Sequence, residues 1–510
     1  MSRDNSRSAS VAQGPPSPWV NKHQNVTQDF EFLYSVSNPP VPVTDFFADL
    51  QLTVAALQRL IADAIRDKTT LRAIGGGWSL SSAAVTSGRL IDTLGLNWAF
   101  PADAASVAPS YRGDPELLMY LQCGVSVREA NDILFQMPTK MALKTSGASN
   151  GQSIAGAVAT GTHGSRFRFG SMQDYVVGLH LITAPDRAIW IERASCPVMS
   201  DGVIAALGAE LVRDDKLFNA ALVSFGSFGI IHGLMIEADV LYLLEVSRSR
   251  LPIDHRLRLV MQTLDFTGID MPDTSKEPFH FEVVINPHDV RRGAYVTVMY
   301  DRKYRSDYTL PPVSPGGLGP GDDVLGVMGR LSDRLPGLVD NLVNLIVPAE
   351  YPLFKKVLGT PGEVFFSNTD FQKAMSAEIG IAMEDAPRVL DLMLALPELS
   401  DYPGLLAFRW VKGSKALLAF TKFETTCTIE LPAAHGDRTM AYYAAVWHAL
   451  EKAGIPYTLH WGQINGFTPE RVRTMYGDAV DEWISSRNEL LEPKFRAVCS
   501  NLFLEQCGLG

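Results

Sequence analysis

The sequence predicts an α+β protein of two or three domains, and three observations predict it. The chain has 510 residues, beyond the ~250–300 at which a single core stops growing. Strand and helix signals alternate up to about residue 245. From about residue 246 the pattern shifts to short alternating runs of the kind that form antiparallel strands. Hydrophobic residues at 46% and charged residues at 20% give the chain enough apolar surface to bury a large core.

Taken in order, residues 1–20 are rich in Ser, Pro, Gly and Gln and are expected to be disordered. A helix is predicted over Thr53–Asp67, where Val54, Leu57, Leu60, Ile61 and Ile65 share a face. The apolar run Leu71–Ile74 predicts a strand leading into Gly75-Gly76-Gly77. Residues 118–123 predict another strand, broken by Gly124, with Ser126 capping a helix that ends near Phe135. Val176–Ile191 predicts a hairpin turning at Pro185-Asp186. Val203–Leu222 is expected to be helical and Phe225–Ala238 a glycine-punctuated strand region. Further strands are predicted at Phe279–Ile285, Ala294–Tyr300, Leu405–Val411 and Thr425–Leu431. Between them lie a Pro/Gly-rich loop, Leu310–Gly321, and a helical pattern over Asp322–Ile346; a last helix covers Thr439–Ala453.

The net charge of -11, with no Lys/Arg run, excludes a typical nucleic-acid binder. The five cysteines include no CxxC pair, which argues against a disulfide framework or a zinc site, and no metal is expected. The N-terminus lacks an apolar core of the signal-peptide kind, and no run of ~18 apolar residues could span a membrane. The expectation is a cytoplasmic protein.

Two segments carry chemistry. Gly75-Gly76-Gly77-Trp78-Ser79 follows a strand, and amides without Cβ obstruction can face a diphosphate. A doubly wound dinucleotide fold would require GxGxxG; Asp92 lies at a suitable distance, but the glycine spacing rejects that reading. The second segment, Ser153 to Ser165, is almost entirely small residues with hydroxyls at Thr160, Thr162 and Ser165, and can wind its main chain around a diphosphate.

These segments, with Phe225-Gly226-Ser227-Phe228-Gly229-Ile230-Ile231 and His460-Trp461-Gly462, resemble the vanillyl-alcohol oxidase superfamily of FAD oxidoreductases, within it the alditol and aldonolactone oxidase branch. The resemblance spans about residues 40–510 and is weak over about 246–400. It implies a PCMH-type FAD-binding domain of two α+β subdomains at 40–245, after a disordered or extended segment at 1–39. A substrate domain with an antiparallel sheet would follow at 246–450, and a C-terminal segment at 451–510 would return to the flavin. It implies FAD contacts from Gly75, Gly76, Gly77, Trp78, Ser79, Ser153, Gly156, Thr160, Gly161, Thr162, His163, Gly229 and Ile231. It also implies a small residue, Gly147, over the reactive flavin edge, where it leaves a path for dioxygen. The simpler reading of Gly147 is a turn between Thr145 and Ser149.

Departures from the family pattern sharpen the expectation. The family often has a flavin-linking histidine where this chain has Trp78, so FAD is expected to be non-covalent, with Cys123 and His163 as the other conceivable attachment points. The branch has Glu-x-Arg where this chain has Ala407-Phe408-Arg409, and Lys where it has Gln463. Arg409, Glu430, Gln463 and His460 are the candidate catalytic residues, with Glu430 the base and Glu424 its competitor. Either Arg409 would then be the main cation at the flavin or the flavin potential would be lower. The expected reaction is hydride transfer from an alcohol or hydroxyl-bearing metabolite, with dioxygen as acceptor. A dehydrogenase or desaturase using another acceptor, and a redox-inactive flavin-binding module, are the alternatives.

Overall fold

Alternating burial builds three main sheets, and the glycines and caps between strands decide how they stack. The computed structural model describes residues 8–40, 45–147, 150–309, 347, 351–365 and 374–510. The Pro/Gly-rich loop at 310–321 and the helical pattern at 322–346 lie outside the described residues.

The first sheet orders its strands Ser10–Gly14, Phe32–Ser37, Arg89–Gly95 and Leu71–Ile74. Its last three strands run parallel. The second has six strands, in the order Glu210–Arg213, Arg187–Glu192, Val176–Ala184, Ile230–Glu237, Leu118–Gln122 and Ala99–Pro101. The helix Phe46–Asp67 packs against both sheets, with Leu57, Ile61 and Ala64 fully buried. It starts earlier than its periodicity suggests because Asp45 caps it, accepting from the Ala48 amide at 3.1 Å.

The third sheet has eight antiparallel strands. Their order is Phe354–Gly359, Tyr242–Leu251, Ala294–Lys303, His280–Ile285, Leu406–Lys412, Thr425–Ala434, Ala374–Ala382 and Tyr457–Leu459. After the edge strand Tyr457–Leu459, four short helices carry the chain back to the first two sheets. There the Trp483 indole donates to the Val223 carbonyl at 2.9 Å, and the helix Pro493–Cys499 packs on Phe46–Asp67.

Two expectations are corrected. The segment 203–222 is not one helix: it forms a helix Asp201–Ala206, the strand Glu210–Arg213 and a helix Asp215–Leu222. Gly208, at φ 70°, turns the chain out of the first helix, and the next residues find a parallel partner in Ile189–Glu192. Residues 10–20 are also ordered. Ser10–Gly14 pairs along its whole length with Phe32–Ser37, so main-chain hydrogen bonds hold a segment whose side chains are mostly exposed.

Candidate active site

Two turns approach each other so closely that only glycine fits. A Cβ on Gly75 would lie 2.0 Å from Ser153 Oγ, and one on Gly76 would lie 2.5 Å from the Gly151 carbonyl. Gly75 and Gly76 therefore let one loop sit against the other, in addition to leaving amides uncovered. Ser153 then caps the helix Ile154–Ala159, its hydroxyl accepting from the Gly156 amide at 3.3 Å.

Between these turns runs a cavity of two lobes, which share Ile74, Gly75, Ala84, Ser153, Gly156 and Thr160. The first lobe is lined by Gly75, Gly76, Gly77, Trp78, Ser79, Ser153, Gly156, Thr160, Thr162 and His163. Arg409, Glu430, His460 and Gln463 line the same lobe. The second, more apolar lobe takes Gly229 and Ile231. Gly161 and Gly147 line neither lobe. Gly161 turns the chain at φ 69° beside Val223, and Gly147 sits behind Thr162, whose methyl carbon would be 2.7 Å from an added Cβ. Glu424 is exposed just before the strand Thr425–Ala434, outside the cavity. Cys123 lines the apolar lobe, where burial pushes its thiol up to about 12 and keeps it protonated.

Among the cavity residues that escape the sequence reading are Glu378, Arg72, Trp19 and His23. Glu378 faces Glu430 across adjacent strands, and Glu430 in turn faces Ala407. Two acids from the strands beyond it thus meet Arg409. The alternation Ser376, Glu378, Gly380 against Met375, Ala377, Ile379, Ile381 was the available signal. Arg72 is fully buried in the second lobe and donates to the carbonyls of Phe225, Gly226, Ala83 and Cys499, tying three segments together. Burial lowers it only to about 10, so it stays charged.

Glu378 is the hub of the polar end. One of its oxygens accepts from Arg409 Nη2 at 3.1 Å and contacts His163 Nε2 at 2.8 Å; the other accepts from Gln463 Nε2 at 3.1 Å. His163 Nδ1 donates to the Gly164 carbonyl at 2.8 Å, so the short contact at Nε2 holds a second proton between ring and carboxylate. Burial works against the charged form of Glu378, but the charges of His163 and Arg409 override it and hold the carboxyl far below its usual range. Arg409 also binds Glu430. Its charge is therefore paired within this cluster and is not a lone cation at the cavity wall. Burial pushes Glu430 up, Arg409 opposes this, and the neighbouring Glu378 adds to it. Burial brings His460 down to about 4, so the ring is neutral. Its Nδ1 accepts from the Gly462 amide at 3.0 Å, which leaves the proton on Nε2 as a donor.

FAD fits this cavity. The molecule has a polar reactive end, a narrow diphosphate and an apolar adenine, and the two lobes offer a charged end, a glycine-lined neck and an apolar end. The side-chain oxygens of Gln152 and Gln463 are buried in the first lobe with no hydrogen-bond partner among the described residues. They suit the polar edge of a ring system.

Comparison with known proteins agrees. Residues 52–191 match the family model of the FAD binding domain. L-gulono-1,4-lactone dehydrogenase of Mycobacterium tuberculosis is 26% identical over 433 residues, 83% of this chain and 87% of that protein. D-arabinono-1,4-lactone oxidase of Debaryomyces hansenii is 24% identical over 210 residues, 40% of this chain and 34% of the relative. The solved cholesterol oxidase from B. sterolicum shares the fold, with a TM-score of 0.67 and 13% identity over 98% of this chain and 97% of its own. Among the described residues no helix is long and apolar enough to cross a membrane. The cavity, the domain match and the relatives together make this chain an FAD-dependent oxidoreductase with an FAD binding domain at residues 52–191, similar to the lactone dehydrogenases and oxidases.

Proposed function

We propose that this chain oxidises a hydroxyl-bearing carbon of a small metabolite, an aldonolactone being the favoured class, and that dioxygen is the final acceptor, yielding hydrogen peroxide. The observation that carries the reading is Arg409 held between Glu378 and Glu430 at the polar end of the cofactor cavity. The substrate class follows the names of the lactone dehydrogenase and oxidase relatives. FAD supplies the acceptor for a hydride.

The chain's own residues supply the rest. Glu430 takes the substrate hydroxyl proton; its raised proton affinity brings it nearer the working pH, as a general base requires. Ser376 Oγ donates to one Glu430 oxygen at 3.2 Å while Arg409 holds the other, so the carboxylate is fixed in place. His460 offers its Nε2 proton to a substrate oxygen. Glu378 is a positioning residue for Arg409, His163 and Gln463. Gly75, Gly76, Gly77, Trp78, Ser79, Ser153, Gly156, Thr160, Thr162 and His163 hold the cofactor at the polar lobe and neck, and Gly229 and Ile231 hold its apolar end. The flavin is non-covalent, because an indole stands at Trp78.

A dehydrogenase is the second reading, favoured by the name of the mycobacterial relative. Mixing the FAD-loaded protein with a panel of aldonolactones, alditols and other alcohols tests both. Bleaching of the flavin with peroxide release supports the oxidase, and dye reduction without peroxide supports the dehydrogenase. A flavin that no substrate bleaches leaves only a binding module.

A further inference from the structure

We propose that the N-terminal hairpin Trp19–Gln28 is a built part of the FAD site, with Trp19 and His23 in contact with the bound cofactor. This rests on the cavity being the FAD site. The hairpin lies outside residues 52–191, which match the FAD-binding family model.

The shape of the hairpin is enforced. Trp19–Val20 pairs with Thr27–Gln28. In the turn, the Asn21 side-chain oxygen accepts from the amides of Asn25 and Val26 at 3.0 and 3.1 Å. Gln24 sits at φ 56°, a conformation that a non-glycine residue keeps only where its surroundings impose it. Burial alternates along the turn: Asn21 and His23 point in, Lys22 and Gln24 out.

The turn then docks on the main chain of the glycine loop. The Lys22 amide donates to the Gly77 carbonyl at 2.8 Å, Asn21 Nδ2 to the Ser79 carbonyl at 2.8 Å and Asn25 Nδ2 to the Leu80 carbonyl at 2.7 Å. Docking places Trp19 and His23 in the wall of the polar lobe. The His23 ring meets Trp78 edge-on, centroids 5.8 Å apart and planes at 75°. A wall of indole and imidazole rings suits a planar heteroaromatic ligand. Because the hairpin both fixes the glycine loop and lines the cavity, its docking and FAD binding stabilise each other.

Titrating the full-length apoprotein with FAD, followed by flavin fluorescence, tests this in the wild type, in His23→Ala and in the pair Asn21→Ala with Asn25→Ala. The FAD dissociation constant should rise about tenfold in the double variant and several-fold in His23→Ala. The His23→Ala apoprotein should melt like the wild type. Bound FAD should also slow tryptic cleavage after the exposed Lys22. Wild-type FAD affinity in both variants, or cleavage at Lys22 that FAD leaves unchanged, overturns the proposal. Should the double variant fail to fold, His23→Ala and the Lys22 protection decide. A wild-type apoprotein that binds no FAD would instead remove the reading of the cavity itself.

Discussion

Glu378 and Glu430 stand opposite each other on neighbouring antiparallel strands, and one guanidinium, that of Arg409, binds both. All three are nearly fully buried, with side-chain exposures of 2%, 3% and 5%. Within this cluster burial and the neighbouring Glu378 raise the proton affinity of Glu430, while His163 and Arg409 hold that of Glu378 down.

Replacing Arg409 by Leu leaves those carboxylates buried without their cation. Removing one partner of such a pair costs about 3–5 kcal/mol. Denaturant unfolding of Arg409→Leu should show a loss of that order together with loss of turnover, and Arg409→Lys should recover part of the stability. A loss under ~1 kcal/mol would show that the pair is solvated in solution.

Glu430→Gln keeps the shape of the side chain and removes the base. The proposed role predicts a fall in kcat/KM of about 10²–10⁴ with FAD affinity unchanged. The wild-type rate should rise with pH as Glu430 ionises and then level off; because burial raises this group, the rise falls above the ordinary glutamate range. In the Gln variant that limb should vanish. An unchanged pH profile assigns the base elsewhere.

Gly75→Ala drives a Cβ to within 2.0 Å of Ser153 Oγ. Separating the two loops should cost about 1–3 kcal/mol of stability and weaken FAD binding. Adding Ser153→Ala should restore part of both, since it removes the colliding oxygen. Calorimetry of the apoproteins and FAD titration measure the two effects.

Acid should weaken the fold before it protonates the surface carboxylates. His180 is buried between Tyr120 and His232, and burial lowers it to about 4 from an ordinary 6.5. His232 is lowered too, by burial and by His180. Below pH ~6.5 the unfolded chain takes up protons at these rings while the folded chain does not, so stability falls as pH drops from there towards 4. Unfolding free energies measured across that window should show this slope, and His180→Gln should flatten it.

Precipitating the protein with acid should leave the pellet colourless and FAD in the supernatant. A yellow pellet would mean a covalent link, despite the indole at Trp78.

The sequence by itself determined the local features: the α+β class, most strands and caps, and the segments that line the cofactor cavity. Leu71–Ile74 and the Ser126 cap are local matters of alternation and hydrogen bonding, and a resemblance to known motifs carried them to FAD. Asp201–Leu222 was illegible because the pairing of Glu210–Arg213 with a strand some twenty residues earlier overrides a helical pattern. Only the tertiary structure decided the cluster of Glu378, Arg409 and His163. Glu378 and Arg409 lie 31 positions apart, and Glu378 and His163 lie 215 apart. Strand register, which no local pattern encodes, brings Arg409 to the Glu378 carboxylate, and the packing of the His163 turn on that sheet brings the second side chain to the same oxygen. The same holds for His23, far from the glycine loop in sequence and placed against Trp78 by three hydrogen bonds to backbone carbonyls.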